Sequence, residues 1–391
     1  MEVMIHQGPD ADAGVRAEEG SGGARTSAVP RRRFLRDVGV AAAAAPFLAA
    51  FADVLGGQGA AGAQVPGVSS AFPTRNPWPK YPAYRFAMVC HRTGDPFFVP
   101  SRIGANDASA LLGTSYTWGG SASEVVSEMV DTLEEAVDNQ VDGLALCVVD
   151  PKAFNSETNE ALSQGIPVVA FNVEAPAGSG NNAMAYIGQD HFAAGVALAE
   201  HAKKYLKRGD TVGAMIATPS SHEEQARVAG AVSVFEAIGA KVARVVVGTN
   251  EQQATANIEA WYRSHPGASF LFASAGYNGA ALADAVEKLG LSSQGVHAAA
   301  FDVGGRVLHA VNKGTIAFTL DEQAYLQGFV PLLQLFLYNI SGGLISPFDV
   351  DTGHKFVTRQ NVGQYLLHRD TWEGSSTIPV VLKPPKSIRS S

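Results

Sequence analysis

Apolar residues in this chain gather into short unbroken runs, and stretches of helical periodicity separate those runs. Residues 84–91, 143–149 and 167–171 are continuous apolar segments of strand length. Between them, residues 100–112 form a small-residue helix and 115–118 a short strand. Residues 121–139 form a helix in which Val125, Met129, Leu133 and Val137 recur at helical spacing. A further helix is expected over 156–164. A strand that is apolar along its whole length has both faces covered, so the alternation predicts parallel sheets flanked by helices.

The rhythm then restarts. Helices over 192–206, 221–238, 254–264, 279–289 and 306–313 alternate with strands over 211–217, 242–247, 269–274 and 296–301. A strand at 316–320 and a long amphipathic helix at 324–340 complete the pattern. Two blocks of domain size with shared C-terminal elements predict an α/β fold of two Rossmann-like lobes joined by a three-strand hinge. Crossings are expected near Gly188-Gln189-Asp190, Thr319-Leu320-Asp321 and residues 348–352. The N-terminal lobe is assigned to 84–188 plus 321–345, and the C-terminal lobe to 189–320 plus 346–358. Residues 359–391 form a C-terminal extension.

Ahead of the lobes stands a different kind of segment. Arg31-Arg32-Arg33-Phe34-Leu35-Arg36 precedes an alanine-rich apolar run over 38–54, and Ala61-Gly62-Ala63 offers small residues at its exit. A basic start, an apolar middle and a small-residue exit make a secretory signal, and the paired arginines with Phe-Leu resemble the twin-arginine type. Residues 1–63 are therefore read as an export region and 64–83 as a Pro-rich linker. The apolar run is short of the roughly 20 residues a span needs. With no cysteine at the exit and no later membrane-length run, stable membrane insertion is not expected, and the chain reads as periplasmic and monomeric. The formal net charge is −8 without a long basic stretch, which argues against nucleic acid as a partner. Cys90 and Cys147 read as buried thiols or as a disulfide pair. Two cysteines fall short of the four ligands of a structural zinc site, and no metal or cofactor is expected.

Ligands of open parallel sheets bind beyond the carboxyl ends of the strands. That rule singles out the residues following each strand: His91, Asp95, Phe97 and Phe98, then Trp118, Asp150, Asn172, residues 219–222, Tyr277, Asn278, Asp302 and Glu322. The set is rich in hydrogen-bonding and aromatic groups. It holds no nucleophile–base pair, so binding rather than catalysis is expected. An exported glycosidase would need two carboxylates flanking a bond, about 5–9.5 Å apart; Asp95, Asp302 and Glu322 are its candidates.

The motifs resemble those of the ribose-binding-protein-like branch of the periplasmic sugar-binding proteins, a type I fold shared with sugar-responsive repressors. The resemblance spans 84–357. It rests on Asp95-Pro96-Phe97-Phe98, on Val141-Asp142-Gly143-Leu144-Ala145 and on Gly165-Ile166-Pro167-Val168-Val169. Arg227 three residues before Gly230, Ala300-Phe301-Asp302, and the segment from Asp321 to Gly328 complete it. It implies that Phe97 and Phe98 sandwich a sugar or polyol while Arg227 and Asp302 grip its hydroxyls. Asp95 stands where the family usually has Asn, and Glu322 where it has a hinge-proximal Gln. It also implies ABC permease and ATPase subunits as partners, with a chemoreceptor or two-component sensor as the alternative. A repressor would need a helix-turn-helix where this chain carries its leader and linker. Two departures, Asn172-Val173 for Asp-Arg and Ala275-Gly276 for Asn-Asp, point away from ribose itself.

Overall fold

The computed structural model describes residues 81–372. The leader, most of the linker and the last residues of the C-terminal extension lie outside the described residues.

Six strands form the first sheet: β1 (Arg85–Cys90), β2 (Ser115–Gly120), β3 (Gly143–Leu146), β4 (Val168–Phe171), β5 (Tyr186–Gly188) and β11 (Val350–Asp351). Their order is β11-β5-β4-β3-β1-β2, all parallel. The inner strands β3 and β4, Gly-Leu-Ala-Leu and Val-Val-Ala-Phe, are buried at every position, as their unbroken apolar character requires. The edge strand β2 alternates with solvent.

The second sheet repeats the plan with β6 (Thr211–Ile216), β7 (Lys241–Val246), β8 (Ala268–Ala273), β9 (His297–Phe301), β10 (Phe318–Asp321) and β12 (Lys355–Thr358). Its order is β12-β10-β9-β8-β6-β7, with only β12 antiparallel among the described strands. Both sheets therefore reverse strand order between their first strand and the third, the switch point where α/β sheets open a crevice.

Helices cover both faces. In the first lobe these are α1 (Phe98–Leu112), α2 (Val126–Asp138) and α3 (Asn155–Ser163). The second lobe carries α4 (His191–Ala202), α5 (His222–Ala237), α6 (Glu251–Ser264), α7 (Gly276–Lys288) and α8 (Gly305–Lys313). Asp190, Ser221 and Asn250 cap α4, α5 and α6 by accepting from the backbone N–H three residues on. The long α9 (Ala324–Ile340) follows a strand of the second sheet but buries Leu332, Leu335 and Phe336 in the first core. A C-terminal helix, α10 (Val362–Trp372), falls in the stretch read as an extension, and its Val362 is buried in the second core.

Among the described residues the chain crosses between the sheets three times, after β5, after β10 and between β11 and β12. The third crossing is displaced from the expectation. Val350 and Asp351 pair with Ile187 and Gly188 in the first sheet, so 346–351 belong with the first lobe and the crossing lies at 352–354. A two-residue strand carries too little pattern to be read in advance. Among the described residues no helix is long and apolar enough to cross a membrane.

Candidate functional site

A cleft of about 480 Å³ opens between the two sheets. From the first lobe it is lined by the loop after β1 and by Asn172 after β4; from the second, by α5, the start of α7, and the residues after β9 and β10.

The first wall is aromatic. Asp95 orders it: its Oδ1 accepts from the Phe97 N–H at 2.9 Å and its carbonyl from the Phe98 N–H at 3.0 Å. Phe98 begins α1 and is only 2% exposed, in contact with His91, Trp118 and Phe171. Phe97 is half-buried and meets Phe98 edge to face, with centroids 4.9 Å apart. That angle leaves no slot between the rings, so the expected sandwich is replaced by a corner: Phe97 presents the surface and Phe98 backs it from the core. Trp118 does not line the cleft. It packs behind Phe98 and against Phe171. His91 does line it, and burial, with Arg92 beside it, pushes its imidazole down to about 3.

The second wall is charged. Arg227 on α5 is 2% exposed and donates to Ser274 O at 3.1 Å, to Gln189 Oε1 at 3.3 Å and to Glu322, its ion-pair partner. Its guanidinium lies 4.5 Å from the Phe301 ring centroid. Burial alone would lower Arg227, but Glu322, Glu223 and Asp302 outweigh it and hold the cation above its usual range. Asp302 leaves β9 with a φ of 69°, a left-handed turn that Asp tolerates better than most residues. A Cβ at Gly276 would run into its carboxylate, so the Ala275-Gly276 departure makes room for Asp302. Burial first, then Glu322, raises the Asp302 carboxyl well above the usual range, against Arg227. Asp302 and Glu322 both act on the one Arg227 guanidinium, and a side-chain hydrogen bond couples the two carboxyl groups.

Asn172 also turns at positive φ, 61°, and its amide donates to Gln327 Oε1 at 3.0 Å. Val173 beside it is buried. Tyr277 lines the cleft; its hydroxyl donates to Glu224 at 3.0 Å and its ring lies 5.3 Å from the Arg92 guanidinium, across the cleft. Asn278 does not line it. This fully buried side chain accepts from the Ala275 N–H and donates to Met215 O, fastening the start of α7. The structure thus brings nine expected residues to one cleft: His91, Asp95, Phe97, Phe98, Asn172, Arg227, Tyr277, Asp302 and Glu322.

Sequence reasoning missed Glu223, and it placed Gln189 at a crossing and Gln327 in the family segment without giving either a part in the site. Glu223 stands one helical turn before Arg227 and faces the cleft; burial raises its carboxyl to about 7, with Arg227 opposing. Its i,i+4 spacing from Arg227 was the available signal. Gln189 links Arg227 to the third crossing, donating to Gly353 O at 3.1 Å.

Two sheets of one topology, three crossings and a cleft at the strand ends define a two-lobed binding protein. The chain belongs to the periplasmic binding protein domain family, whose profile matches residues 86–338. It is 34% identical over 326 residues to the xylose/arabinose-binding protein XylF of Sulfolobus acidocaldarius, across 80% of this chain and 79% of that one. Among solved structures, it resembles an ABC transporter solute-binding protein of Burkholderia graminis in complex with D-arabinose. That match has 25% identity and a TM-score of 0.66, covering 72% of this chain and 97% of that one. It also resembles AraP, an arabinose-binding protein of Geobacillus stearothermophilus, with 28% identity and a TM-score of 0.63, covering 73% and 99%.

Proposed function

We propose that the chain is the extracytoplasmic sugar-binding component of an ABC-type importer, taking a monosaccharide or sugar alcohol between its lobes without chemistry of its own. One observation carries the reading. In the cleft that Phe97 also lines, two buried polar atoms of opposite sense, Arg227 Nε and Asp302 Oδ1, have no hydrogen-bond partner among the described residues. An unpaired buried polar group costs about 1–3 kcal/mol, and a ligand hydroxyl serves as acceptor for the first and donor for the second. A sugar's C–H face suits the Phe97 ring while its edge carries the hydroxyls. The relatives' names favour pentoses, xylose and arabinose first. The basic-apolar leader supports export, by the twin-arginine route, and permease and ATPase subunits are the partners that follow.

A thermal-shift screen of pentoses, hexoses and polyols tests the proposal. At 100 times its Kd, a ligand bound only by the folded state adds about 2.7 kcal/mol, so Tm should rise by about 5 °C. A broad panel without a hit would sink the sugar reading.

A further inference from the structure

Behind the aromatic wall lies a second constellation. Cys90 ends β1 and Cys147 follows β3; their predecessors Val89 and Leu146 are register partners, which sets the two cysteines side by side on adjacent parallel strands. Both are free thiols and fully buried. The two Sγ atoms and one ring nitrogen of His91 all lie within 4.8 Å of one another. His91 is 8% exposed, and its Nδ1 has no hydrogen-bond partner among the described residues. Backbone N–H groups already face both sulfurs: Arg92 donates to Cys90 Sγ at 3.4 Å, and His91 donates to Cys147 Sγ.

We propose that Cys90, Cys147 and His91 form a binding site for one thiophilic d10 cation, Cu(I). The two thiolates are soft ligands and imidazole suits copper and zinc, so the set selects Cu(I) or zinc over harder cations. Structural zinc takes four protein ligands in a tetrahedron, whereas this cluster offers three in a buried setting. Three ligand atoms this close need only a small contraction to surround a trigonal ion. Burial and the neighbouring Cys90 hold Cys147 as a thiol without metal; the N–H donors aimed at both sulfurs stabilise the thiolates once the cation has displaced the protons, and a bond to the metal satisfies the orphaned imidazole. On loading, each thiol gives its proton to solvent, so two protons leave as one cation enters. The resulting single negative charge sits against the two N–H donors, and uptake strengthens as pH rises. The site does not depend on the sugar reading: it is read by metal uptake alone, whatever the cleft binds.

Anaerobic titration of the reduced full-length chain with Cu(I), in competition with bicinchoninate, tests the site. One equivalent should bind per chain, with a near-ultraviolet thiolate-to-copper band. The Cys90→Ala/Cys147→Ala double variant, apolar and close in size, should keep its far-ultraviolet circular dichroism and lose the uptake. His91→Gln removes a direct ligand and should weaken affinity by at least about 10-fold, the lower end of what losing a mere outer-shell partner costs. The proposal is overturned if the reduced wild type does not compete with the chelator, or if the folded double variant takes up Cu(I) equally. It is also overturned if Zn(II) is bound in preference to Cu(I), or if the pair is isolated as a disulfide that reductant does not open.

Discussion

At the scale of residues, the site is a matter of unequal charge. One buried guanidinium, Arg227, serves three carboxyl groups, Glu223, Asp302 and Glu322. Removing one partner of a buried pair leaves the other unpaired, which costs about 3–5 kcal/mol. Glu322→Ala should therefore lower unfolding free energy by about that amount in a urea melt, whereas Glu322→Gln, which keeps an acceptor for Arg227, should cost less than half as much. Equal costs would mean that the carboxylate charge is immaterial. Glu223 supplies a pH signature. Its carboxyl is raised in the folded chain from 4.5 to about 7, so the folded state holds more protons in that window. Its contribution is present below pH 4.5 and is lost as pH rises through about 7, worth about 1–2 kcal/mol after allowance for its partial exposure. The neutral buried imidazoles of His91 and His191 act in the opposite sense, losing stability as pH falls. The difference between wild type and Glu223→Gln isolates the carboxyl: the wild-type Tm should fall relative to the variant from pH 4.5 to 7. A difference independent of pH would refute the assignment.

At the scale of elements, two helix pairs cross at near contact by one device. In the first lobe a Cβ on Gly104 of α1 would meet Tyr325 O, and one on Gly328 of α9 would meet Ser101 O. In the second, a Cβ on Gly195 of α4 would meet Arg227 O, and one on Gly230 of α5 would meet Phe192 O. Gly230→Ala and Gly328→Ala should each cost about 1–3 kcal/mol by chemical denaturation, while Gly267→Ala, which meets nothing, should be neutral. Loss-free substitution at 230 or 328 would contradict the crossing geometry. This bears on what the sequence made legible. Elements with strong period or unbroken apolar runs were read closely; the α9 expectation coincides with Ala324–Ile340. Strands β5 and β11, of three and two residues, were too short to carry a period. The strand-end rule collected eight of the cleft residues because it encodes topology; Arg227, on α5, came only with the family resemblance. It failed for Trp118, Asp150, residues 219–222 and Asn278 because a residue after a strand can turn away from the cleft as readily as toward it; Asn278 spends its amide on capping. Glu223 lies within a helix, where apolar periodicity marks the packed face and not the face turned to the cleft.

At the scale of the whole molecule, the three crossings are tied at one place. Arg227 holds Gln189 of the first crossing and Glu322 of the second, and Gln189 reaches Gly353 of the third. At the rim, the Arg92–Tyr277 stack and a 2.9 Å hydrogen bond between the His222 ring and Glu174 O join the lobes. A ligand held by Arg227 and Asp302 thus touches the hinge and the walls together, so binding biases the open–closed balance. The central claim is that this cleft captures one sugar through those two groups. Titration calorimetry of the wild type and of Asp302→Ala with D-xylose and L-arabinose tests it most directly. One site per chain is expected in the wild type for at least one of the two sugars, and a loss of affinity of about 100-fold in the variant, the consequence of some 3 kcal/mol for buried polar groups left without their partner. Unchanged affinity in Asp302→Ala, or no binding heat from either sugar, would contradict it.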